Sequence, residues 1–260
     1  MVKRFFCLTC RRSFSDATED SDKNQKKRQI NLLVYRFFSS GVSQRRMAPL
    51  LNVNIKTIAR KLKFLGPLAK RALNLNNLVH PLCSIVEFDD LETFEHTKLK
   101  PVSVTLAIEY KTRRILGFEV SRMPAKGLIA ALSRKKYGFR KDERPQGIKT
   151  LFKDIQPFIK PDALIKSDQN PGYPKPIKSF FPNCQHKAYK SRKACIVGQG
   201  ELKEGRFDPL FTLNHSFAML RANINRLFRR SWNTTKDPLR LEDHIALYCL
   251  YHNTVIIQKK

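Results

Sequence analysis

Negative charge is what this sequence has least of: 22 Asp and Glu stand against 50 Lys and Arg in 260 residues, a formal net charge of +28. Such an excess of one sign repels itself unless a polyanion is close by, so composition points to nucleic acid as the partner. A merely basic soluble protein or a membrane-surface binder is the alternative. Also missing is any run of about 18 apolar residues, which excludes a predicted bilayer-spanning helix. The N-terminal MVKRFFCLTC carries no apolar stretch of signal-peptide length, and the chain is expected to stay in the cytoplasm. Cysteine is scattered over Cys7, Cys10, Cys83, Cys184, Cys195 and Cys249. That lacks the density of a secreted disulfide scaffold and reads as reduced thiols. No internal repeat is visible. Against these absences stands a hydrophobic content of 42%, enough at this length to bury the core of one or two domains.

Cys7 and Cys10 form a CxxC in RFFCLTCRRSFS, half of a zinc ribbon. Tetrahedral zinc takes four ligands, and no second CxxC precedes this one. The expectation is a partial knuckle over residues 1–15 that holds Zn2+ only if completed; a late reading-frame start or an unmetallated pair would each explain it. His80 and Cys83 share ligand-pair spacing, but beside Pro81 a structural role is expected.

Residues 16–28 are polar and read as a linker. From 29 to 75 the pattern is helical. Apolar Ile30, Leu33, Val34, Phe37 and Phe38 recur at helical spacing up to Gly41, Ser43 caps a second short helix containing Pro49, and NVN breaks the chain before IKTIARKLKFLG. This outlines a helix-turn-helix whose last helix turns Ile55, Ile58, Ala59 and Leu62 inward. Its exposed face would present Lys56, Thr57, Arg60, Lys61 and Lys63 to phosphates and base edges. Residues 1–75 hold 17 Lys or Arg against 4 acids, which favours DNA binding over a basic solvated hairpin.

Beyond residue 84 the texture is mixed α/β. SIVEFDD, VSVTLAIEY and ILGFEV read as three strands of an antiparallel meander, with KTRR turning between the last two. Helices follow around AKGLIAALSRKKYG and GIKTLFKDIQPFI, then the strand DALIKSD, then a helical tail. Trp232, after the first tail helix, reads as a packing anchor.

Five acids, Glu87, Asp89, Asp90, Glu92 and Glu95, crowd into nine positions of an otherwise positive chain. Asp89 and Asp168 are each expected at a strand end. If those strands are neighbours, the two carboxylates can share hard divalent ions, and a pair of such ions serves phosphodiester transfer. Asp90 competes with Asp89, because adjacent strand residues face opposite ways. On the helix starting near Leu213, Asn214, Arg221 and Asn225 fall on one stripe, with Phe217, Leu220, Ile224 and Leu227 on the core face. Arg221 is a candidate phosphate grip. Arg226 and Arg229, with RKKYGFRKDER at 134–144 and KSRK at 190–193, extend a candidate DNA track, and His186 is either a contact to the leaving group or DNA or a structural histidine.

The series IVEFDD, IKSDQNPGY and LNHSFAMLRANINRLFRRSW, behind a half knuckle and a helix-turn-helix, resembles the insertion-sequence transposases of the DDE superfamily. The resemblance covers nearly the whole chain. It implies an α/β, ribonuclease H-like catalytic domain at 84–260, a mixed sheet flanked by helices, preceded by a small all-α DNA-binding domain. It also implies Asp89, Asp168 and Asn214 as the catalytic set, two Mg2+ or Mn2+ ions held by the aspartates, double-stranded DNA as substrate, and a homo-oligomer assembled on it in the nucleoid. Where most of that superfamily has glutamate, this chain has Asn214, which offers an amide oxygen without charge; Glu201 and Glu204 are alternative sources of that charge. An inactive remnant or a sequence-specific regulator that binds DNA without cutting it is the competing expectation, and a stand-alone ribonuclease or resolvase-like nuclease is a third.

Overall fold

Alternating apolar residues build the strands, and the way each strand's two faces are covered sets the architecture. In the computed structural model, which describes residues 3–18, 20, 22–23, 25–190, 202–203, 206–228 and 231–259, the chain opens with a short antiparallel hairpin of β1 (Arg4–Phe6) and β2 (Ser13–Ser15). Three helices follow, α1 (Asn31–Phe38), α2 (Gln44–Leu50) and α3 (Ile55–Leu78). The Ser43 hydroxyl accepts from the Arg46 N–H, and the Asn54 side-chain Oδ1 from the Lys56 N–H, so α2 and α3 both start on side-chain caps.

The central sheet contains β3 (Cys83–Phe94), β4 (Pro101–Glu109), β5 (Ile115–Arg122), β6 (Ile159–Asp168) and β7 (Gln185–Tyr189), in the order β5-β4-β3-β6-β7. The expected meander is present, since β3, β4 and β5 pair antiparallel. Between β5 and β6 run α4 (Ala130–Tyr137) and α5 (Arg144–Ile155). β6 and β7, joined through α6 (Pro174–Phe180), extend the sheet in parallel. Helices α7 (Phe211–Asn223) and α8 (Pro238–Tyr251) complete the tail. The protein is thus mixed α/β, a five-stranded mixed sheet flanked by helices.

Two apolar clusters cover the two faces. Val86, Phe88, Ala107 and Ile165 pack with Ile148, Leu151, Phe152 and Ile155 of α5 and Ile177 of α6. On the other face Leu91, Val104, Leu106 and Ile108 pack with Leu213, Phe217 and Leu220 of α7 and Leu241 and Ile245 of α8. Val34, Phe38, Met47, Ile58, Leu62 and Leu73 belong to that same cluster, so α1–α3 share one core with the sheet. Each such side chain, fully buried, contributes about 1.5–3 kcal/mol. Among the described residues no helix is long and apolar enough to cross a membrane.

Three local expectations need correction. The third helix does not stop at Gly66: α3 continues through Gly66 and Pro67 for 24 residues in all, about 36 Å at the helical rise. Gly66 serves close approach instead, since a Cβ there would fall 2.4 Å from Asp243 on α8. The helix holding Asn214 ends at Asn223, so Asn225 is not on its stripe, although Phe217, Leu220, Ile224 and Leu227 are all buried as expected. Trp232 is 73% exposed and does not act as a packing anchor.

Candidate active site

β3 and β6 run side by side, and their register builds the site. Val86 pairs with Ile165 and Glu87 with Lys166; two residues further along each strand stand Asp89 and Asp168. With a side-chain period of two, both aspartates share the face that carries Glu87 and Lys166. Asp89 is not at a strand end, because β3 runs on to Phe94 through its pairing with β4. Asp168 is the last residue of β6.

The two carboxylates are close enough to feel each other. Burial, and then the charge of Asp168, pushes the Asp89 carboxyl up to about 7, while the Asp90 N–H and the Tyr173 hydroxyl oppose the rise. Burial also raises Asp168, and Asp90 adds to it, against a hydrogen bond from the Asn170 N–H at 2.9 Å. Tyr173 packs against Phe88 with ring centres 4.7 Å apart and planes tilted by 54°, and donates to Asp89 Oδ1 at 3.0 Å. Asp90 faces the opposite side of β3, where its Oδ1 accepts from Thr105 Oγ1 and its buried Oδ2 has no hydrogen-bond partner among the described residues. Of the two neighbours, Asp89 therefore shares a face with Asp168.

Beneath this pair lies a second, buried set of charges. Lys166 Nζ sits 3.4 Å from Glu87 Oε1 and 3.6 Å from the centre of the Tyr110 ring. Glu87 Oε2 accepts the Leu213 N–H at 3.1 Å, which pins the first turn of α7 onto β3. The next residue is Asn214, whose Nδ2 donates to Asp208 Oδ2 at 2.7 Å. Asp208 Oδ1 accepts the Leu210 N–H at 3.1 Å, and its charge adds to the burial that raises Glu87. Asp208, Tyr173 and the pairing of Glu87 with Lys166 were not anticipated from sequence. The available signal for Asp208 was an acid in FDP just ahead of a helix; nothing local marked Tyr173.

Arg221, two turns along α7, lines a cleft of about 670 Å³ together with Leu91, Glu92, Lys98, Lys136 and Tyr137. The cleft begins on β3 two residues past Asp89. Arg226 is drawn inward: its Nη1 donates to Thr235 at 3.3 Å, and burial lowers its pKa, opposed by Asp237 and Asp243. Arg229, Glu201 and Glu204 lie outside the described residues. His186 pairs with Ile165 in register, on the face away from the aspartates, and its Nε2 is 2.9 Å from Ser167 Oγ.

On α3, Lys56, Arg60 and Lys63 are exposed and Thr57 is half-buried. Lys61 departs from the expected exposed face: it is 2% exposed, and its ammonium donates to the Lys26 carbonyl at 2.7 Å. Ile55, expected inside, is 40% exposed. Cys7 and Cys10 lie at the turn of the β1-β2 hairpin, where hydrogen bonds from the Cys10 N–H and thiol, and then from the Thr9 N–H, lower the pKa of Cys7. Cys83 is buried and donates to the Ile85 carbonyl, with its thiol pushed up to about 12 by burial. Among the described residues no group of three or more His, Cys, Asp or Glu side chains could hold a metal ion.

Compared with models of known protein families and with curated proteins of established function, the chain matches none.

Proposed function

We propose that this protein is a DNA transposase of the DDE type, with Asp89, Asp168 and Asn214 as its catalytic set on a ribonuclease H-like sheet. The observation that carries the reading is the shared face of Asp89 and Asp168 on adjacent parallel strands, both carboxyls raised by burial and neighbouring charge. Two crowded, poorly solvated carboxylates fit hard divalent cations, which take oxygen ligands. Bound there, Mg2+ or Mn2+ would activate the attacking oxygen and stabilise the leaving one. The strand order supports the same reading, since the first and fourth strands of the central sheet carry the two acids side by side.

The chain's own residues do the rest. Glu87 holds the first turn of α7 beside the site, Tyr173 orients Asp89, and Arg221 with Lys98 and Lys136 offers positive charge along the cleft where a phosphate backbone would run. Lys56, Arg60 and Lys63 would contact DNA from the helix-turn-helix, with Thr57 beside them. The reaction hydrolyses the phosphodiester at an element end, and the freed 3′ hydroxyl then displaces a target-strand oxygen, so the number of phosphodiester bonds is conserved in the second step. A homo-oligomer would bring two ends together.

A regulator or inactive remnant that binds ends without cutting is the second reading. What favours it is the residue at 214, where asparagine brings an amide oxygen without the charge of an acid. Incubating the protein with the ends of its own element in Mn2+ or Mg2+ decides between them. Cutting that is lost in both Asp89→Ala and Asp168→Ala is the expected result; tight end binding with no cutting in either metal defeats the enzyme reading.

A further inference from the structure

The resemblance leaves a chemical gap at residue 214, where an acid is expected and an amide stands. The loop before α7 carries the missing carboxylate. Asp208 is 4% exposed, and its two oxygens have different tasks: Oδ1 takes the Leu210 N–H at 3.1 Å and Oδ2 takes Asn214 Nδ2 at 2.7 Å. A carboxylate only accepts hydrogen bonds, whereas an amide has an NH2 end and an oxygen end. Asp208 therefore selects which end of Asn214 faces it. The NH2 turns toward Asp208, and Asn214 Oδ1 is the end turned away from it.

We infer that Asp208 is the positioning residue for Asn214, fixing its amide so that Oδ1 serves as the third oxygen ligand of the site while Asp208 supplies the negative charge from one layer behind. The inference rests on the transposase reading. It also accounts for asparagine at 214, since aspartate there would set two carboxylates against each other across the 2.7 Å contact. Asp208 would act as outer partners of metal ligands commonly do, by orientation and polarisation, and loss of such a partner weakens metal binding about 10- to 100-fold.

The test uses the full chain with Mn2+ as the probe, its affinity read by electron paramagnetic resonance titration, in wild type, D89A, D208N, N214D and the exchange variant D208N/N214D. Asparagine at 208 can still accept the Leu210 N–H, so D208N keeps the cap and its thermal midpoint should stay near that of wild type. Its Mn2+ affinity should fall about 10- to 100-fold. N214D alone opposes two charges and should raise the pH at which Mn2+ is taken up. The exchange variant restores one amide facing one carboxylate and should return affinity to within a few-fold of wild type. Unchanged affinity in D208N, or a loss that the exchange leaves unrepaired, overturns the inference while D89A-sensitive binding in wild type leaves the transposase reading standing. Mn2+ uptake that ignores D89A removes both.

Discussion

Tyr173 reaches across from the loop after β6 and donates its hydroxyl to Asp89 Oδ1 at 3.0 Å. A hydrogen bond to the ionised form favours that form, so Tyr173 holds the Asp89 carboxyl below the value burial and Asp168 would otherwise give it. Tyr173→Phe keeps the ring against Phe88 and removes only the bond. The Asp89 pKa in the metal-free protein should then climb above about 7, by roughly one unit. Carboxyl carbon NMR of the two proteins reads this directly, and coincident titrations would show that the hydroxyl has no influence.

Asp89 itself should make metal-free stability pH-dependent. Its folded pKa, about 7, lies above its ordinary 3.8. The folded state therefore holds the proton more tightly, and the stability this gives is present below pH 4 and lost as pH rises through 7. Asp89→Asn cannot ionise, so it should match wild type near pH 4 and exceed it at pH 8. The expected gain in thermal midpoint at pH 8 is on the order of 10 °C in EDTA. Added Mg2+ should narrow the gap by stabilising wild type alone. A gain of equal size at both pH values contradicts the assignment.

The buried pair of Glu87 and Lys166 should be costly to break from one side. Glu87 is 0% exposed and Lys166 side chain 10% exposed, at 3.4 Å. Lys166→Met strands a carboxylate in the core and should cost about 3–5 kcal/mol. Adding Glu87→Gln removes the stranded charge while keeping an acceptor for the Leu213 N–H, and should recover most of that loss. Urea unfolding of the single and double variants measures both, and additive losses would mean that the two groups do not interact.

The basic residues of α3 should divide into two kinds. Lys56→Ala, Arg60→Ala and Lys63→Ala, all at exposed positions, should each lower the salt slope of DNA binding by about 1 with little effect on stability. Lys61→Ala should leave that slope alone and destabilise the fold, because its ammonium is committed to the Lys26 carbonyl and Gln25. Equal slopes for all four variants would refute this division.

Much of this was legible in the chain. Apolar alternation located β3, β4, β5 and β6, and the spacing of Phe217 and Leu220 located the buried face of the tail helix, with Ile224 and Leu227 buried just beyond its end. Shorter elements escaped: α6, with two prolines in seven residues, and β7, with a half-exposed pattern, carry too little periodicity to stand out. Gly66 misled because a helix-stopping residue and a close-packing residue are the same glycine in sequence; only the approach of Asp243 distinguishes them.

The sequence alone determined the charge imbalance and the strand and helix periods, because each is written in composition or in the spacing of near neighbours; it narrowed the candidate acids to Asp168 with Asp89 or Asp90, and Asn214 entered through the resemblance. Tertiary structure decided the rest: that Asp89 rather than Asp90 shares a face with Asp168, that Lys61 is buried, and that Asp208 engages Asn214. These depend on the register between strands some 80 residues apart in the chain and on which surface comes to cover a given side chain. A side chain's partners, and hence its charge and orientation, are set by packing that no local pattern encodes.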